Sequence, residues 1–326
     1  MTTSFAHSIT LAFLTFYFPI SHSFGSNISP QIYKNHKNNK YNNLYPIDKY
    51  STSKPSTFYN HPYRYSYQYP YRYPYRYAHY RYSSLRSEQI MEAITLNSVF
   101  ALISYYLKQP FLTNYGLLHS WFLAIILWTT LNWKGWSIAI VYFIFGSIAT
   151  KIRFKHKLNL GIAEARNGRR GPENVWGSAA TAALCSISSI LYPSLSNIFY
   201  VGFVASLATK LSDTSASEIG KAYGKTTYLI TTLKQVSPGT EGAISLEGTI
   251  AGIIGSLILT IYAISIGFIN NSALIPSILA AFIATNIESI IGATLQNKYY
   301  FLTNEVVNFI NTFIGAIIAM LLYIIL

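Results

Sequence analysis

Acidic side chains are scarce in this chain: 11 Asp and Glu stand against 24 Lys and Arg among 326 residues, and all charged residues together make up 11%. With 51% of residues hydrophobic, that is too little charge to coat a soluble globule of this size, so the chain reads as a membrane protein. Cysteine is nearly absent. The one thiol, Cys185, lies in an apolar run, which excludes a disulfide framework and a thiolate metal cluster and leaves a small packing residue. Three catalytic signatures are missing as well: there is no G-x-x-x-x-G-K-[ST] phosphate loop, no H-E-x-x-H and no G-x-S-x-G. The familiar soluble kinases and hydrolases are therefore unsupported. The net charge of +13 invites a nucleic-acid reading until it is located. Ten basic residues fall within residues 1–92 and much of the rest lies beside apolar segments, a pattern of membrane topology and anionic ligands with no nucleic-acid partner.

The N-terminal third reads as a leader. Residues 1–24 hold the apolar stretch Leu11 to Phe18, then Ser21 and Ser23, a signal-like segment too short to be a full span. Residues 25–92 form a low-complexity, transit-like segment, basic and hydroxyl-rich, expected to be disordered. Within it, eleven tyrosines between Tyr59 and Tyr82 alternate with Arg64, Arg72, Arg76 and Arg81. Such a run can stack on single-stranded nucleic acid, but Pro62, Pro70 and Pro74 interrupt any strand, and the composition fits a targeting segment better. A signal-like leader followed by a transit-like stretch resembles the two-part leaders of plastids acquired by secondary endosymbiosis, with Phe24 where those leaders often carry an aromatic residue. The expected location is a plastid membrane.

Residues 93–326 are expected to form an all-α, polytopic membrane helical bundle. Apolar segments run from about Ala93 to Leu107, Leu117 to Leu131, Gly135 to Thr150, Val175 to Tyr192, Ser194 to Ala208, Thr249 to Ile269, Ala273 to Leu295 and Val306 to Leu326. Several are shorter than the ~20 residues of a typical span, so the expectation is six to eight transmembrane helices. Counting crossings puts the polar stretches 151–174, 209–248 and 296–305 on one membrane face. Nearly every basic residue after position 92 falls there, Lys134 being the exception, and the positive-inside rule assigns that face to the cytosol or stroma.

Only eight acids follow residue 92: Glu164, Glu173, Asp213, Glu218, Glu241, Glu247, Glu288 and Glu305. Six sit in two same-face loops and two lie in or at the ends of apolar helices, where a charge is costly and a functional role is the default. In the stretch from Glu164 to Asn174, Arg166, Arg169 and Arg170 supply guanidinium forks suited to phosphate oxygens, and Pro172 fits the first turn of a helix beginning near Gly171. A basic anchor for lipid headgroups would use the same arginines. Helical spacing puts Lys210, Thr214, Ser217 and Lys221 on one stripe, with Asp213 and Glu218 as candidate ligands for Mg²⁺ and the lysines for phosphates. Ser215 and Glu218 also have the spacing of a capping box. Residues 226–248 read as two short strands around the Pro238–Gly239 turn, leaving Glu241 and Glu247 at the membrane surface opposite the basic loops. Glu288 follows Asn286 within an apolar helix, and Asn304, Asn308 and Asn311 form a stripe beside Glu305 that is either interhelical glue or part of a site.

The runs GIAEARNGRRGPENVWGSAATAALCSI and VGFVASLATKLSDTSASEIGKAYGKTTYLITTLKQVSPGTEGAISLEGTIAG, followed by the Glu288 and Glu305–Asn308 segments, resemble the integral-membrane family that includes chloroplast phytyl-phosphate kinase (DUF92, transmembrane protein 19-like). The likeness covers about residues 95–326. It implies phosphorylation of a prenyl monophosphate, phytyl phosphate in the plant members, to the diphosphate, a step that feeds tocopherol and related prenyl lipids. It also implies a nucleoside triphosphate donor, CTP by analogy with related lipid kinases, and a lipid substrate drawn from the surrounding membrane lipids. On this reading Asp213, Lys210, Glu218 and Lys221 are catalytic, with Asp213 and Glu218 on the metal. Glu164, Arg166, Arg169, Arg170, Asn174, Glu241, Glu247, Glu288, Glu305 and Asn308 bind substrate and phosphate. Two other readings use the same sequence: a polyprenol kinase or cytidylyltransferase, which needs a similar charged face, and a prenyl-lipid transporter, for which no internal repeat is evident.

Overall fold

The computed structural model describes residues 75–326, residue 297 excepted, with side chains from residue 87. The signal-like leader and most of the transit-like segment lie outside the described residues. Among the described residues there are eight α-helices: α1 (Tyr75–Tyr106), α2 (Asn114–Lys151), α3 (Phe154–Asn159), α4 (Pro172–Leu191), α5 (Ser196–Tyr223), α6 (Leu246–Ser265), α7 (Leu274–Ile291) and α8 (Asn304–Ile325). The first begins inside the stretch that composition assigns to the leader. Local signals place several starts. Thr113, Ser245 and Thr303 accept from the backbone N–H groups of Gly116, Gly248 and Val306 and so cap α2, α6 and α8, while α4 opens on Pro172 after Gly171.

The apolar segments read from the sequence each coincide with a helix to within a few residues, with two differences of form. The second and third are the two arms of α2, which breaks at Asn132 (φ 56°, ψ −163°) and turns back on itself. Trp128 and Trp136 face each other across the break with ring centroids 5.5 Å apart. At the far end of the hairpin, Phe111 meets Phe143 edge to face at 6.2 Å. The fifth segment continues as helix through the charged block to Tyr223, so Ser215 and Glu218 are interior residues of α5 and form no capping box.

Helix α5 is the centre of the bundle. Phe203, Val204, Leu207 and Leu211 are wholly buried, and α2, α4, α6, α7 and α8 all pack against it. Its seam with α6 is closed by small residues: a Cβ at Gly255 would lie 2.8 Å from Ser215 Oγ and 3.1 Å from the Leu211 carbonyl oxygen, so only glycine permits this approach. Among the described residues, four helical stretches are long and apolar enough to cross a membrane: Pro172–Leu191, Leu246–Ser265, Asn271–Gln296 and Asn304–Ile325. The finer figure of six to eight crossings rests on the hydropathy pattern of the sequence.

The connections at one end of the bundle converge. Thr113 N–H donates to the Arg170 carbonyl (3.0 Å), Arg153 to the Ala222 carbonyl (2.7 Å), and Asn174 to Glu305 (3.2 Å). The segment between α5 and α6 pairs β1 (Tyr228–Leu229) with β2 (Ala243–Ile244) antiparallel, its Gly239 lying against Ile162 of the arginine loop. Its first reversal comes earlier than the Pro–Gly turn, at residues 230–233, where Leu229 N–H donates to the Lys234 carbonyl. At the other end the turns are short, and Lys134 donates to the Gly267 carbonyl at 3.0 Å.

Candidate functional site

The segment between α2 and α4 is held down before it reaches its arginines. Lys157 on α3 is completely buried; its ammonium donates to the Glu218 carboxylate of α5 and to the Thr150 carbonyl (2.9 Å). Arg153 lies over the Tyr223 ring at 5.1 Å. Three successive residues, Arg166, Asn167 and Gly168, then take left-handed backbone angles (φ 52°, 54° and 73°). For arginine that conformation costs ~1–3 kcal/mol, and such strain collects at functional sites. At Gly168 a Cβ would also press against Thr150 Cγ2 at 3.0 Å. This kink separates the three arginines. Arg166 is exposed and pairs with Glu173 and, at 2.7 Å, with Asn174. Arg169 donates twice to the Leu112 carbonyl (3.1 and 2.9 Å), and Arg170 donates to the Tyr142 hydroxyl (2.8 Å) while its backbone N–H donates to Phe111 (2.9 Å).

Arg169 and Arg170 border a cavity of about 200 Å³ at this end of the bundle. The charged stretch of α5 forms its floor. Buried Lys210 donates to Asp213 Oδ2 (2.5 Å) and to Asn308 Oδ1 of α8 (2.6 Å). Glu288 of α7 faces Asp213, Lys210 and Glu241. Lys221 stands 3.7 Å from Glu218, and both border the same cavity. The Thr285 hydroxyl, on the cavity wall, is buried with no hydrogen-bond partner, and so are both amide atoms of Asn311 one turn beyond Asn308. A buried polar atom without a partner on a cavity wall suits a site for a polar ligand.

The structure therefore gathers Glu164, Arg169, Arg170, Asn174, Lys210, Asp213, Glu218, Lys221, Glu241, Glu288 and Asn308 around one space. Arg166, Glu247 and Glu305 do not line it. Arg166 is turned out to Glu173; Glu247, in the first turn of α6, accepts from Lys225 N–H at 3.4 Å; Glu305, in the first turn of α8, holds the Asn174 amide. Asn174 is also a capping residue, accepting from Gly171 N–H at 2.9 Å.

The carboxylate pairing differs from the Asp213–Glu218 pair read from the sequence. Residues five apart on a helix project about 140° apart, so Glu218 turns to Lys157 and Asp213 to Glu288. Among the described residues no three His, Cys, Asp or Glu side chains are grouped to hold a metal. The Asp213–Glu288 pair nevertheless fits Mg²⁺, which is commonly held by one or two carboxylates together with substrate phosphates. Sequence reasoning missed Lys157, which no local pattern marks among the cations of KIRFKHK, and Tyr142, an aromatic in an apolar helix whose hydroxyl alone hints at a polar partner.

Fold and site together define an integral-membrane helical protein with a charged cavity at one end of its bundle. The chain belongs to the family described as integral membrane protein DUF92, whose pattern matches residues 97–316. It is 53% identical over 230 residues to an uncharacterized membrane protein of the cyanobacterium Synechocystis, covering 70% of this chain and 89% of that one. It is 45% identical over 231 residues to Protein VTE6, chloroplastic, of Arabidopsis thaliana, covering 68% and 69%. An uncharacterized membrane protein of Methanocaldococcus jannaschii is 30% identical over 217 residues, covering 66% and 87%. No solved structure matches the chain.

Proposed function

We propose that this protein is a prenyl-phosphate kinase of a plastid membrane, transferring the terminal phosphoryl group of a nucleoside triphosphate to a prenyl monophosphate, phytyl phosphate first among candidates. The observation that carries this reading is the meeting of Arg169, Arg170, Lys210 and Lys221 with Asp213 and Glu288 around one cavity at the end of membrane-spanning helices. Kinship with a chloroplastic relative and the resemblance to the phytyl-phosphate kinase family support it.

In the proposed reaction, a phosphate oxygen of the monoester attacks the γ-phosphorus. The bond from γ-phosphorus to the β–γ bridging oxygen breaks, and nucleoside diphosphate leaves with its electron pair. The attacking phosphate is already ionised at neutral pH, so no strong general base is required. Positioning and charge neutralisation do the catalysis. Arg169 and Arg170, fixed by Leu112 and Tyr142, orient phosphate oxygens. Lys210, tethered between Asp213 and Asn308, and Lys221 offset charge on the transferred group. Asp213 and Glu288 would hold Mg²⁺, which when bound neutralises charge on the donor phosphates.

The test is product analysis on the full chain in membranes supplied with phytyl phosphate and each nucleoside triphosphate in turn. Acceptor-dependent release of nucleoside diphosphate is expected; acceptor-dependent release of pyrophosphate would replace the kinase with a cytidylyltransferase.

A further inference from the structure

A prenyl monophosphate has a charged head that belongs in the cavity and a long apolar tail that cannot stay there, so the tail needs a way out. The deep part of the cavity wall, on α4, α5 and α8, is closed. Ser178 of α4, Lys210 and Asp213 of α5 and Asn308 of α8 are all buried. Helix α7 differs. Its outward stripe of exposed residues runs Ile275, Leu279, Phe282 and Ile290 with Asn286 between them, and Phe282 and Asn286 from that same stripe also line the cavity. Asn286 donates to the Phe282 carbonyl at 2.7 Å, a polar side chain on a stripe that otherwise suits lipid. Across the seam, Thr249 and Gly252 of α6 line the cavity beside exposed Ile250, Ile253 and Ile254.

Depth fits as well. Phe282 lies nine residues before the C-terminal end of α7 at Ile291, which at ~1.5 Å per residue is about 14 Å along the helix. Half the hydrocarbon core of a bilayer is ~15 Å thick. The seam therefore leads from the phosphate-binding cavity to the level of the acyl chains.

We infer that the α6–α7 seam, with Phe282 and Asn286 at its mouth and Thr249 opposite, is the lateral passage through which the isoprenoid tail of the acceptor leaves the cavity for the bilayer. This rests on the prenyl-phosphate reading of the site. Head and tail then occupy the two solvents each prefers, and longer chains gain contact along the outward stripe of α7.

The experiment is photolabelling of the full chain in lipid nanodiscs with a C20 prenyl monophosphate bearing a diazirine in its first isoprene units, followed by peptide mapping. Label is expected within residues 249–254 and 279–286, to be removed by excess phytyl phosphate and lowered several-fold by Phe282→Trp. Label that phytyl phosphate removes but that maps to α1, α2, α4 or α8 would overturn the passage and leave the kinase reading standing. Label that phytyl phosphate does not remove, on any helix, would mark bilayer lipid contact and overturn both. Competed label on α6 and α7 in a protein that transfers no phosphate would support the passage and sink the kinase.

Discussion

Two side chains decide most of the chemistry at the scale of single residues. Asp213 is buried, tied to Lys210 and turned to Glu288, so removing its charge takes away both the partner of a buried ammonium and half of the carboxylate pair. Asp213→Asn is expected to lower phosphate transfer by about 10²–10³-fold, the range seen when one preorganised electrostatic group is lost, measured at matched expression; wild-type activity would remove Asp213 from the site. Lys157 plays a different part. It is wholly buried against Glu218, and truncating one partner of such a pair strands the other charge. Lys157→Met is expected to cost ~3–5 kcal/mol of stability in denaturant titration, with much of it regained in the Lys157→Met, Glu218→Leu double variant. Both roles follow from tertiary pairing, and the sequence carried them unevenly. The scarcity of acids made Asp213 conspicuous, whereas nothing near Lys157 separates it from Lys155 two residues away.

At the scale of elements, the seam between α5 and α6 sets how closely the helix that carries Asp213 is held. Gly255 is one of its close points, with Ser215 Oγ and the Leu211 carbonyl where a side chain would begin. Gly255→Leu is expected to push the helices apart at a cost of about 1–3 kcal/mol, and to lower kcat more than it raises KM, because it displaces α5 without touching substrate. Unchanged kcat would separate the seam from the site. The helices themselves were legible from apolar runs and caps, as Pro172 after Gly171 illustrates. The break at Asn132 was legible only as a gap between two runs, since a left-handed asparagine and two facing tryptophans are needed to make it a hairpin. The false capping box had a similar origin: Ser215 and Glu218 have the right spacing, but α5 continues through them because tertiary burial outweighs the local signal.

At the scale of the whole molecule, charge and connectivity agree on sidedness. The arginine loop, the β1–β2 segment and the turn before α8 meet at one end, and Lys134 with Gly267 marks the other. With Cys185→Ser as background, cysteines placed at Leu233 and Tyr300, both exposed, are expected to react with a membrane-impermeant maleimide from the same side, and one at Asn270 from the opposite side. A shared reactivity of all three would overturn the topology. The gathering of a charged cavity from α2, α4, α5, α6, α7 and α8 was foreseeable in outline, because the polar stretches fell on one face. The partnering of Asp213 with Glu288 was not, as 75 residues separate them and only the packing of α7 on α5 brings them together.

Phosphate transfer is the property that decides the function of this protein. Membranes containing the full chain would be given γ-labelled nucleoside triphosphate with phytyl phosphate, and the lipid products resolved by chromatography. Label is expected in phytyl diphosphate, dependent on Mg²⁺ and lost in Asp213→Asn. Label in no lipid with any of the nucleotides, from protein shown to be folded, would contradict the kinase reading.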